Sequence, residues 1–187
     1  MEVQQLIASL SALTEQNKAA AKDFLNLEES QLNFKPFPEK WSVLECIEHL
    51  NRYGRFYLPE IESRMAKSQH AASATFKPGI LGDYFAKSME PSPNMKTMNT
   101  FKSMNPIASE LHKGCIEEFI EQQDRMMACL ETSKAKNLTK IKTSITISNW
   151  IKLRLGDTFR VVVNHNWRHV LQAQNTLSLQ SASESVT

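Results

Sequence analysis

Apolar residues recur at helical intervals through most of the chain. Val3, Leu6, Ile7, Leu10 and Leu13 fall three and four apart, and Ala19 to Ala21 carry a good helix former toward Leu25. This spacing predicts a first helix over about residues 2–26. Asn33-Phe34-Lys35-Pro36-Phe37-Pro38 follows; its two prolines exclude helix, and its phenylalanines are expected to tuck against the fold. Ser42 with Glu45 three positions later forms a capping box, from which a second helix runs from Val43 to about Ser68. Pro59 falls inside that helix and is expected to kink it. His49, Tyr53 and Tyr57 then make a stripe on one helix face.

Periodicity lapses over about residues 71–104, which carry Lys77-Pro78-Gly79, Gly82, Pro91-Ser92-Pro93-Asn94 and Asn99. Leu81 to Met89 is expected as a short helix within this long connector. Asn105-Pro106 supplies a cap and a first-turn proline, and Ile107, Leu111, Cys115, Phe119, Gln123 and Met126 continue at helical spacing, predicting a third long helix to about Ser133. Leu138 to Trp150 mixes alternating isoleucine and threonine with Ser148-Asn149, which fits either a short strand or a connector ending in a cap at Ser148. Gly156-Asp157-Thr158 is expected to break the chain and cap a fourth helix over about 158–178, with a frayed polar tail over about 180–187. Without an internal repeat, residues 1–187 read as one all-α domain, a four-helix bundle with long connections.

Composition narrows the partners. A net charge of +2 in 187 residues, with basic residues scattered, gives no reason to expect nucleic acid or an anionic membrane. No apolar stretch approaches the roughly 20 residues of a membrane span, and the first residues lack a secretory pattern. Cys46, Cys115 and Cys129 are too scattered for a disulfide framework or a Cys-x-x-Cys site, so the cytoplasm is the expected location.

Five histidines introduce candidate chemistry, because His165 and His169 lie one helical turn apart. A lone His-x-x-x-His pair carries little, and an ordinary surface or core imidazole is the plain alternative. Phe159, Val162, Val163 and Val170 mark a buried arc that His165 and His169 extend, which turns both rings inward. Two imidazoles buried together repel if protonated and lack partners if neutral, and a shared metal ion resolves both difficulties. If the helix carrying His49 packs against them, three neutral imidazoles meet at an open divalent-metal site.

Trp41-Ser42-Val43-Leu44-Glu45 leading to His49-Leu50, together with His165-Asn166-Trp167-Arg168-His169-Val170-Leu171-Gln172, resembles the DinB-like (YfiT-related) superfamily of metal-binding four-helix bundles. The resemblance covers nearly the whole chain and places His49, His165 and His169 on the family's three ligand positions. It implies nickel or zinc at that site, a homodimer, and relatives that include thiol-dependent transferases and isomerases, many others having no established activity.

Three histidine ligands leave coordination positions open for water or a low-molecular-weight thiol, and imidazole suits several metals. Each ligating ring should donate its other N–H to an acceptor. Glu45 could reach His49, but the capping box competes for its carboxylate and is favoured. Tyr53 could orient a substrate or simply fill the core. Arg168 is expected to pair with a carboxylate such as Glu48, and Gln172 to bond near the site or stay solvated. Cys46 reads as a small buried thiol, His70 and His112 as solvated, and Trp41 and Trp167 as core or staple residues. The leading expectation is a metal-dependent enzyme of the thiol S-transferase or hydrolase type acting on a small molecule. The alternatives are a non-catalytic metal-binding bundle and a helical interaction protein whose histidines never meet.

Overall fold

The structure is a computed structural model describing residues 1–91, 100–107 and 109–184. Ser92, Pro93, Asn94 and Asn99 of the long connector, and the last three residues of the tail, lie outside the described residues. The elements are α1 (Val3–Leu25), a single-turn α2 (Glu29–Leu32), α3 (Val43–Lys67), α4 (Ile80–Met89), α5 (Gly114–Ser133), β1 (Lys142–Ile145), β2 (Ser148–Arg154) and α6 (Leu155–Glu184). The described chain is therefore mostly helical. Helices α1 and α3 each pack against both α5 and α6, while α4 lies on α6. No helix among the described residues is long and apolar enough to cross a membrane.

Two apolar clusters form the core. One gathers Leu6, Leu10, Leu58, Ile61, Leu130, Phe159 and Val163; the other holds Phe24, Leu44, Ile47, Phe119 and Val170. On every long helix the positions between the clusters are buried yet polar: Thr14 and Asn17 on α1, Asn51 on α3, Gln122 and Gln123 on α5, and His165 and Asn166 on α6. Buried polar atoms cost free energy unless bonded, and most here are bonded. The Asn51 amide donates to the Cys115 carbonyl (2.7 Å), and the Gln122 amide donates to the Asn51 carbonyl (3.2 Å). Gly54 lets Gln122 lie against α3, since a Cβ there would overlap the Gln122 amide.

Three boundaries differ from the sequence expectation, each for a local reason. Asn105-Pro106 does not open the third long helix; α5 begins at Gly114. The Asn105 carbonyl, which a helix would use for its first bond, accepts the Arg52 guanidinium instead (2.6 Å), and the Ser109 N–H turns to Pro106 (3.0 Å). Gly156-Asp157-Thr158 lies inside α6, which follows directly from β2. The Asp157 carboxylate accepts from the Gly79 N–H (2.8 Å) and pairs with Arg160, so it tethers α4 rather than capping α6. Residues 180–184 continue α6 instead of fraying.

The stretch from 138 resolves as the antiparallel β1–β2 hairpin, with Thr143 opposite Leu153. Ile141, Thr143 and Ile145 alternate inward, as a half-buried strand requires. The hairpin is pinned to α3 by the Ser144 N–H donating to Glu60 (2.7 Å). Helix α3 continues through the exposed Pro59, and α4 matches the expected short helix closely.

Candidate metal centre

The Ser42–Glu45 box fixes where α3 starts: the Glu45 N–H donates to Ser42 Oγ (3.2 Å) and the Ser42 N–H to Glu45 Oε2 (2.9 Å). Lys35 takes the remaining reach of that carboxylate (2.7 Å), so Glu45 serves the helix end. Two turns on, His49 is 2% exposed and faces α6. There His165 is buried and His169 only partly so. His49 Nε2 lies 3.2 Å from His165 Nε2, and ring centroids of the three histidines are 4.6–5.1 Å apart. One ring nitrogen from each lies within 4.8 Å of the others, a group that could hold a metal ion. Bonds of about 2.0–2.1 Å at tetrahedral angles put ligand nitrogens about 3.3 Å apart, close to the His49–His165 separation.

Two of the rings have partners on their outward nitrogens. His49 Nδ1 is 2.8 Å from the Met104 carbonyl, which can only accept, so Nδ1 carries the proton and Nε2 keeps its lone pair. His169 Nδ1 is 2.9 Å from Gln172 Oε1, with the same consequence. Burial disfavours the charged imidazoles, pulling His49 down to about 4 and His169 to about 3. His165 is held well below its ordinary value by burial and by the two neighbouring histidines. All three rings are thus neutral near pH 7, the state a metal ion requires.

Two aromatic rings complete the surroundings. Tyr53 lies 5.0 Å from His49 and 4.7 Å from His165 by centroid, and burial pushes its hydroxyl up to about 12, so it remains a donor. Trp41 lies 4.7 Å from His49 and 5.6 Å from His169, tied to α6 by Thr176 Oγ1 donating to its carbonyl (3.3 Å). Trp41 packs on the core, as a core or staple residue would, and its place beside the triad adds to that role. Trp167 does pack on the core, Cys46 is fully buried among apolar side chains, and His70 and His112 are exposed. Arg168 does not pair with Glu48, which is occupied by Arg52 and Arg55; it donates to the Ser88 carbonyl (3.3 Å). Cavities of about 250 and 370 Å³ lie beside Cys129 and beside His112, and neither is lined by a triad residue.

Four long helices with three neutral imidazoles converging between α3 and α6 define a helical protein with a three-histidine site. The family model described as the DinB superfamily matches residues 12–173, and the chain belongs to that superfamily. No curated protein and no solved structure matches the chain significantly.

Proposed function

We propose that this chain is a metal-dependent enzyme of the thiol S-transferase or hydrolase type, built as a DinB-like four-helix bundle. His49, His165 and His169 would hold one divalent ion, nickel or zinc. The carrying observation is the 3.2 Å approach of two Nε2 atoms whose outer ring partner, where assigned, leaves the lone pair inward. A divalent ion on three nitrogens keeps coordination positions open and acidifies a thiol or water. The partly exposed His169 marks the open side. In the transfer the thiol gives up its proton to solvent, its sulfur forms a bond to an electrophilic carbon, and the leaving group departs with the bonding pair. Tyr53, whose ring lies beside His49 and His165, would hydrogen-bond the group that gains charge. Water replaces the thiol in hydrolysis. A cytoplasmic homodimer using a low-molecular-weight thiol fits this reading.

The second reading is a non-catalytic metal-binding bundle, favoured by the position of these two cavities away from the triad. Metal analysis of untagged protein, followed by turnover assays with cellular thiols and ester substrates, separates the two. About one metal per chain with thiol-dependent turnover or ester hydrolysis supports the enzyme. Metal without turnover supports the second reading, and no metal removes both.

A further inference from the structure

The hydrogen bond that orients His49 ends on a backbone carbonyl in the connector before α5, and one side chain holds that connector in place. Arg52 lies three residues beyond His49 on α3. Its guanidinium donates to the Asn105 carbonyl (2.6 Å), to the Ser103 carbonyl (3.4 Å) and to Ser109 Oγ (3.0 Å). Ser103, Met104 and Asn105 therefore present three successive carbonyls to α3, the outer two on Arg52 and the middle one on His49 Nδ1. Lys102–Met104 forms only a single 3-10 turn, which closes on itself through the Asn105 N–H to Lys102 (3.3 Å). Too short to hold its own position, it depends on what grips it. Glu48 steadies the gripping side chain from below, bonding Arg52 Nε (3.0 Å).

We infer that Arg52 is a positioning residue for the metal centre. It clamps Met104 so that its carbonyl fixes the His49 ring with Nε2 turned toward His165 and His169. The inference rests on the three-histidine reading of the site. A carbonyl acceptor behind a ligating imidazole sets ring orientation and basicity, and losing such a partner costs about 10–100-fold in metal affinity. Arginine suits the task because its planar fork reaches several fixed acceptors at once, which a lysine ammonium does not.

The test compares zinc affinity, by chelator competition, in wild type, Arg52→Ala, Arg52→Lys and Arg55→Ala. Arg55 bonds the same Glu48 and also Glu118 on α5, so its loss disturbs the ion-pair network while sparing the connector. Arg52→Ala should bind zinc about 10–100-fold more weakly, Arg52→Lys should fall between, and Arg55→Ala should match wild type. The cobalt-substituted protein supplies a spectroscopic check, its visible ligand-field bands changing in Arg52→Ala alone. In the metal-free protein, NMR should show the His49 Nδ1–H exchanging faster in Arg52→Ala than in wild type. If Arg52→Ala does not fold, Arg52→Lys carries the same comparisons. Equal zinc affinity and an unchanged Nδ1–H in the Arg52 variants would overturn the inference while leaving the metal site standing. Wild type that binds neither zinc nor nickel would defeat the metal reading and this inference with it.

Discussion

At the residue scale, His49 offers one ring nitrogen to the triad from α3 while its other nitrogen is taken by Met104. Replacing it with alanine removes the only α3 member of the triad, leaving two imidazoles that hold an ion far less tightly. His49→Ala should lose stoichiometric metal in elemental analysis yet keep nearly all its helicity by circular dichroism, because both apolar clusters are left in place. Full metal content would show that the ligands lie elsewhere. Asn17 is a different case. Its amide is fully buried on α1, and neither polar atom has a hydrogen-bond partner. An unsatisfied buried amide costs about 1–3 kcal/mol, which an apolar side chain of similar volume avoids. Asn17→Leu should therefore raise the thermal midpoint by a few degrees, on the order of 2–4 °C per kcal/mol for a chain of this size. A lower midpoint would mean that the amide is satisfied in solution.

At the scale of elements, the attachments of α4 and of the hairpin can each be probed. Gly82 brings α4 against α6, where an added Cβ would overlap the Asp157 side chain. Asp157 is itself committed to Gly79 and Arg160, so Gly82→Ala should cost about 1–3 kcal/mol and loosen α4, read as faster amide exchange over Ile80–Met89. Glu60 links α3 to the hairpin. Burial alone would raise its pKa, but the Ser144 N–H and Arg64 hold it below the ordinary carboxylate value. A depressed carboxylate contributes stability above its unfolded pKa and loses it as pH falls through the folded one. Glu60→Gln should thus cost about 1–2 kcal/mol at neutral pH and flatten the loss of stability below about pH 4. A parallel acid limb in the two proteins would place the acid sensitivity in other groups.

Local signals were legible in the sequence and distant ones were not. The capping box located α3 because both of its bonds span three residues, and the inward arc of α6 turned His165 and His169 the right way. Strand β1 showed its alternation, but β2 did not, since Trp150, Ile151 and Lys152 are all exposed. The start of α5 failed because Arg52, far away in sequence, competes for the Asn105 carbonyl. Met104 could not be found at all, because it acts through a backbone oxygen that every residue carries.

For the whole molecule, the triad joins α3 to α6 across the polar layer between two apolar clusters, so an ion bound there would cross-link the helices that carry the core. An ion that binds only the folded chain stabilises it by about 2.7 kcal/mol at a free concentration 100-fold above Kd. Chelation should lower the thermal midpoint of wild type and leave His49→Ala unmoved; equal shifts would place the ion outside the triad. The most direct measurement is X-ray absorption at the metal edge of untagged, metal-loaded protein. Three imidazole nitrogens at about 2.0–2.1 Å in wild type, and no bound-metal signal left in His49→Ala after desalting, are expected. A shell of oxygens alone, or a spectrum unchanged by the substitution, would contradict the three-histidine centre.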